Sequence, residues 1–289
     1  MCSAIFLPAS VLASSVYIHA DHSEFFEGDT ILFSVRIDSE GKNINAVEGE
    51  VLLDHEVGSA ALTDINTSGS IFSLWPSKPL PSERNTHISF VGGSPGGFVS
   101  KDAIIFNIVL KLQKTGQIGL SPDNIEVYIH DGKGTKDEVR VKGLVVNVLP
   151  KKPGAEAADD WSRILSNDTT APEPFEVYLG QEESVFDGKK FLSFSTTDEQ
   201  SGISYYEVIE GDLPPTRSNE TYVLREQNRP VTVRVVAYDS AGNARESVYS
   251  PVPALGTVSY RLMMVLIGSL FLMTLLAIIF YRKMRKTRT

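Results

Sequence analysis

Residues 30–38 read TILFSVRID. Ile31, Phe33, Val35 and Ile37 fall on one side of an extended chain, and Ser34, Arg36 and Asp38 on the other. A two-residue period marks a β-strand with one face in a core and one in water. The pattern recurs along the chain: in residues 45–53, Val47, Gly49, Val51 and Leu53 alternate with Glu48 and Glu50. Residues 103–111 (AIIFNIVLK) are apolar on both sides, which predicts a central strand whose second face is also covered. Further strands are expected at 16–19, 62–66, 88–91, 117–120, 125–130 and 144–149. Glu27-Gly28-Asp29, Gly92-Gly93, Gly96-Gly97 and Asp131-Gly132 separate them as turn signals, and the glycine-rich run 92–97 is read as a loop. Many short strands without a helical period predict an all-β sandwich over residues 15–150.

Residues 151–174 change character: Pro, Ala, Asp and Thr dominate, and Trp161, Ile164 and Leu165 are the only apolar anchors. This segment is read as a linker with room for one short helical turn. A second strand-rich unit follows over 175–253. Residues 190–195 and 205–210 alternate, and in 231–238 Val231, Val233, Val235 and Ala237 oppose Thr232, Arg234, Val236 and Tyr238. About seven strands in that length fit an immunoglobulin-like sandwich.

At the C-terminal end, Leu262 to Tyr281 contains no charged residue. Twenty such residues as a helix cross about 30 Å of hydrocarbon, so 262–281 is expected to be a transmembrane helix through a lipid bilayer. Residues 282–289 (RKMRKTRT) carry five bases, against the single Arg261 before the span. The excess of bases assigns 282–289 to the cytoplasm as a basic tail, and everything before the span to the outside of a single-pass plasma-membrane protein. Residues 1–14 are read as the remnant of a signal peptide. Their apolar stretch AIFLPASVLA ends near small residues, although it has no basic start.

Composition narrows the function. Residues 261–289 hold six bases and no acid, leaving 21 bases against 36 acids in the rest of the chain. A surface so negative repels phosphates, so nucleic acid is not an expected partner. The single cysteine, Cys2, excludes an internal disulfide and any cysteine-built metal site.

No catalytic, cofactor-binding or metal-ligating residues are assigned. His19 and His22 sit in a strand and turn where their spacing does not converge on a metal. Residues 131–137 (DGKGTKD) have lysines where a calcium loop needs oxygen ligands. Asn66, Asn167 and Asn219 lie in glycosylation sequons, which matter only in a cell that modifies them. Phe72 and Trp75, in a long connection before Pro79 and Pro81, are the candidate partner-binding residues. Their alternative role is to close one end of the core.

The first unit resembles the cohesin modules of bacterial and archaeal surface proteins. The residues that carry the likeness run in order over about 135 positions: Glu27-Gly28-Asp29-Thr30 leading into Val35-Arg36-Ile37-Asp38, then Asn45-Ala46-Val47-Glu48-Gly49 with Leu53-Asp54, Gly96-Gly97-Phe98 before Ile104–Ile108, and Asp131–Thr135. The resemblance implies a nine-stranded jelly-roll sandwich, the fold of carbohydrate-binding modules, and a non-enzymatic receptor for a dockerin-like or other envelope protein. Kinship with those modules implies the alternative, binding of a polysaccharide in its breakdown. The second unit resembles bacterial immunoglobulin-like repeats at Asp168–Pro172, Asp198–Ile203 with Tyr206-Glu207, and Ala237–Asn243, which implies a spacer or adhesin role.

Overall fold

A computed structural model describes residues 13–251. The expected membrane helix 262–281, the tail 282–289 and all of the expected leader but Ala13 and Ser14 lie outside the described residues. Among the described residues, no helix is long and apolar enough to cross a membrane.

The chain is all-β apart from one helix. Twelve strands build the first unit: β1 (Ser14–His19), β2 (Phe25–Phe26), β3 (Thr30–Asp38), β4 (Ile44–His55), β5 (Ala60–Asn66), β6 (Leu74–Pro81), β7 (His87–Phe98), β8 (Ala103–Leu112), β9 (Gly116–Ile129), β10 (Lys136–Asp137), β11 (Val139–Lys142) and β12 (Leu144–Leu149). They form two sheets, one ordered β11-β1-β3-β8-β5 and one ordered β2-β12-β9-β4-β7-β6 with β10 on β9. The last stretch of the unit, β11 and β12, serves both sheets in turn. β11 runs parallel to β1 in one, and β12 pairs with β9 and β2 in the other. Gly143 is the crossing point: a Cβ there would sit 2.8 Å from the Leu120 carbonyl oxygen, so only glycine fits.

Ile31, Phe33, Val35 and Ile37 are all 0% exposed. They pack with Val47, Val51, Phe90, Phe106 and Val127 in one core between the sheets. Phe106 of β8 and Phe90 of β7 meet across the gap with ring centroids 5.0 Å apart.

Two strands differ from expectation for the same physical reason. The run 92–97 is not a loop but part of β7. Its glycines serve packing: a Cβ on Gly92 would lie 2.6 Å from Phe72 and 2.7 Å from Trp75, and one on Gly93 would lie 2.2 Å from the Asn45 carbonyl oxygen. β6, with Pro76, Pro79 and Pro81, is a strand at the sheet edge, where missing amides leave no ladder bond unmade.

Within 151–174 the chain forms α1 (Asp160–Asn167), capped by Asp159, which accepts from the Ser162 amide at 2.9 Å. The segment is tied to the first sandwich. The Thr30 amide donates to the Ala158 carbonyl at 2.8 Å, continuing the sheet beside β3. The Asp160 carboxylate, 6% exposed, accepts from the Leu32 amide at 3.2 Å and pairs with His22 at 3.0 Å. Burial pushes the Asp160 carboxyl up, but bonds from His22 and the Leu32 amide, with Arg163 beside it, hold it net below the ordinary carboxylate range.

A depressed carboxyl contributes stability above its unfolded value and loses it as pH falls through the folded one. Protease sensitivity of residues 151–167 is therefore expected to rise as pH drops below the usual carboxylate range. Asp160→Asn is expected to flatten that dependence.

The second unit has seven strands: β13 (Val177–Glu182), β14 (Val185–Phe194), β15 (Ile203–Glu210), β16 (Thr216–Ser218), β17 (Thr221–Val223), β18 (Val233–Asp239) and β19 (Ala244–Tyr249). A sheet β13-β14-β17 faces a sheet β16-β15-β18-β19. Leu192 and Phe194 from the first pack with Tyr206, Val208, Val233, Val235 and Ala237 from the second. The buried Glu210 closes one end, accepting from the Tyr222 hydroxyl at 3.0 Å and the amides of Arg225 and Glu226 at 2.9 and 2.7 Å.

Candidate functional site

The two outer faces of the first sandwich differ in what covers them. On the five-stranded sheet Ser34, Asn107 and Val109 face away from the core, yet are only 4%, 3% and 0% exposed. Helix α1 lies against β3. The loop 198–202 of the second unit comes so near that a Cβ on Gly202 would lie 3.2 Å from the Ser68 amide nitrogen. Beneath it, Asn107 joins the residues it faces: the Ser34 hydroxyl donates to it at 2.8 Å, and its own amide donates to Asn66 Oδ1 and the Ser68 carbonyl at 3.2 and 3.0 Å. Asn66, the first sequon, is thus a buried structural residue.

The other sheet keeps its outer face in solvent. Leu52, Leu74, Leu80 and Val145 are 38%, 54%, 66% and 65% exposed. Between them stand acids on neighbouring strands: Glu50 of β4 pairs in register with Asp123 of β9, Glu48 with Glu126, and Asp54 follows on β4. Like charges opposite one another cost stability unless something bridges them. At one pair the Tyr128 hydroxyl lies between Glu48 and Glu126 and shares its one proton with them, and Lys136 lies 2.6 Å from Glu126. These bonds hold Glu126 below its usual range and raise the Tyr128 phenol. Glu50 and Asp123 have no such bridge among the described residues. The face is an acidic surface with apolar side chains set into it.

Phe72 and Trp75 do not stand on this face as an exposed pair. Phe72 is 1% exposed in the core, edge-on to Trp75 at 5.4 Å and Phe98 at 5.8 Å. Trp75 is half-buried against it. Among the described residues, the aromatics with large exposure are Tyr178 and Phe186, both on the second unit. His19 pairs with Asp21 at 3.0 Å and His22 with Asp160, so the two histidines serve separate contacts. Asp131 caps its own turn, accepting from the Lys133 amide at 2.9 Å and from the Thr135 hydroxyl.

The fold brings together three residues to which the sequence reading gave no site. Asp168, Asp198 and Asp239 are buried, and each lends a carboxylate oxygen to a group spanning no more than 4.8 Å. They lie 30 and 41 positions apart, on the end of α1, the β14–β15 loop and the end of β18, so no local spacing reveals them. The available signal was that each begins or sits within one of the three turn motifs of the second unit.

No protein-family model matches the chain. No curated protein matches its sequence. Solved structures similar to it are cohesin modules, over about half of the chain. A non-cellulosomal cohesin from the hyperthermophilic archaeon Archaeoglobus fulgidus is 15% identical, with 48% of this chain and 92% of that one covered and a TM-score of 0.38. A cohesin module from a Clostridium perfringens family 33 glycoside hydrolase is 15% identical over 48% of this chain and 98% of its own, with a TM-score of 0.39. The third ScaB cohesin of R. flavefaciens, solved with a group 1 dockerin, is 14% identical over 50% and 100%, with a TM-score of 0.36. Likenesses this distant carry nothing about what this chain binds.

Proposed function

We propose that this chain is a membrane-anchored surface receptor whose first sandwich binds a protein partner through the outer face of the β6-β7-β4-β9-β12 sheet. The observation that carries the reading is the contrast between the two faces. One is covered by α1 and the second unit; the other is open except at its β6 edge, where Lys78 pairs with Glu220 of the second unit at 2.9 Å, and is acidic around Glu50 and Asp123 and set with exposed Leu52, Leu80 and Val145. Such a surface suits a partner that presents basic and apolar side chains, because opposite potentials steer encounter and apolar centres hold the complex. A polysaccharide would instead call for a row of accessible rings, and the first sandwich has no strongly exposed aromatic among its described residues. The second sandwich, read as immunoglobulin-like, acts as a spacer between this face and the bilayer. The charge-free run 262–281 and the five bases after it support an anchor with the sandwiches outside.

The test uses the full-length chain on intact cells. A photo-reactive residue at position 52 is expected to cross-link an envelope protein, and one at position 17, on the five-stranded sheet, is not. Glu50→Lys with Asp123→Lys is expected to reduce that yield at least tenfold, since it reverses the central charge of the face. Cross-linking that ignores the charge reversal, or retention by a polysaccharide gel with no protein adduct, would overturn the reading. External protease is expected to release the sandwiches and leave a tag after Thr289 protected.

A further inference from the structure

We propose that Asp168, Asp198 and Asp239 form a calcium site that fastens the end of the connector to the second sandwich. The three residues are 4%, 4% and 2% exposed, and among the described residues none of them is ion-paired with a lysine, arginine or histidine. Three carboxylates gathered out of water repel one another, and burial without a partner adds to the cost. A cation held between them would offset that charge.

The hydrogen bonds at the site orient the carboxylates and leave one oxygen without a partner. Asp198 Oδ1 accepts from the amides of Gln200, Ser201 and Gly202 at 3.1, 2.8 and 2.9 Å, which fixes the orientation of its carboxylate. Asp239 accepts from the Asn243 amide at 2.8 Å and from its side-chain Nδ2 at 2.9 Å. Asp168 accepts from the Thr170 amide through Oδ1 at 3.0 Å, but its Oδ2 is buried with no donor in reach. A wholly buried carboxylate oxygen without a donor, on a residue that belongs to a three-carboxylate group, is what a metal ligand looks like before its ion is considered.

The donor set selects the ion. All three ligands are hard oxygens with no nitrogen or sulfur among them, which disfavours zinc and copper. Oxygens within 4.8 Å of one another can surround a cation that holds its ligands at about 2.3–2.6 Å, with waters and backbone carbonyls completing the shell. Magnesium holds oxygens at about 2.0–2.1 Å in a strict octahedron and gives up water reluctantly, so calcium is the better fit.

The placement gives the ion a role. Asp168 is the C-cap of α1, which rests on the first sandwich; Asp198 and Asp239 belong to the second. The Asn243 side chain already bonds the Asp168 carbonyl at 3.2 Å, and an ion beside it ties the same three segments by charge. Calcium thus stiffens the joint between the sandwiches.

Purified full-length chain is scanned by calorimetry in EGTA, in calcium and in magnesium. With calcium about a hundredfold above its Kd, the transition of the second sandwich is expected to rise by about 10–20 °C, and cleavage within 167–174 to slow. Magnesium at the same concentration is expected to give a much smaller shift. Asp168→Asn removes one charge without removing volume, so it is expected to fold in EGTA and to lose the calcium response. Asp131→Asn, in the exposed turn of the first sandwich, is expected to keep it. An unchanged transition in calcium, or an equal shift in Asp168→Asn, would overturn the site.

Discussion

Phe106→Ala is expected to cost the first sandwich about 3–5 kcal/mol, the range for emptying a large aromatic site in a core. The ring is 0% exposed, lies near the centre of β8 and touches Phe90 of the opposite sheet, so its loss opens a cavity between the two sheets. Neighbouring strands are held in register by their ladders and cannot collapse into the space. With total stabilities of about 5–15 kcal/mol, a loss of this size leaves the domain marginal at best. Leu52→Ala, on the open face of the other sheet, is expected to change stability by about 0.5 kcal/mol or less, since it was solvent-accessible from the start. Urea unfolding of the two variants, followed by Trp75 fluorescence, separates the cases. Equal losses would mean that Leu52 is covered in solution and that the open face has been misassigned.

That contrast also marks where the sequence could be read. β3 spans residues 30–38 as expected, and β8 its expected stretch with one residue more, because strict alternation or two-sided apolarity is a local signal. β9 was expected as two strands, 117–120 and 125–130; in the fold they are one, with Pro122 buried and the strand continuing past an irregularity near Asn124, which has φ of 49°. β6 was missed for its prolines, and the end of β7 for its glycines. In both places the residue type is set by a neighbour distant in sequence: the open edge for β6, and Phe72, Trp75 and Asn45 for β7.

The candidate site was less legible than the fold. Alternation assigns residues to the two sides of a strand, but it does not say which outer face another element will cover. That depends on where 151–174 docks, and composition marks that segment only as polar. The three aspartates were quoted only within the motifs that resemble immunoglobulin-like repeats, and in the fold Asp198 and Asp239 also cap their own loops. Their convergence exists only once both sheets of the second unit are folded. Phe72 and Trp75 stood out because aromatics in a proline-flanked connection are conspicuous, and it is packing that turns Phe72 inward.

The motif Glu27-Gly28-Asp29-Thr30 acquires a physical role from the docked connector, and Asp29→Ala is expected to show it. Gly28 takes φ of +98°, which lets the chain turn sharply into β3. Its amide and that of Glu27 bond the Leu112 and Leu149 carbonyls at 2.8 and 2.9 Å. Asp29, 4% exposed, then uses both carboxylate oxygens: Oδ2 accepts from the Phe26 amide at 2.8 Å and Oδ1 from the Ala158 amide at 2.9 Å. Alanine leaves two amides without acceptors in a site closed to water, and each bond to a charged group contributes about 1.5–3 kcal/mol. A loss of about 3–6 kcal/mol is therefore expected, concentrated on the turn and on the attachment of 157–160. Hydrogen exchange should rise first at Phe26, Thr30 and Ala158, and limited proteolysis should cut between residues 151 and 159. Asp29→Asn, which keeps one acceptor oxygen, is expected to lose about half as much. Should Asp29→Ala lower global stability while 151–167 stays protected, the docking of the connector would rest on the Thr30–Ala158 backbone bond and on Asp160 with its bonds to Leu32 and His22.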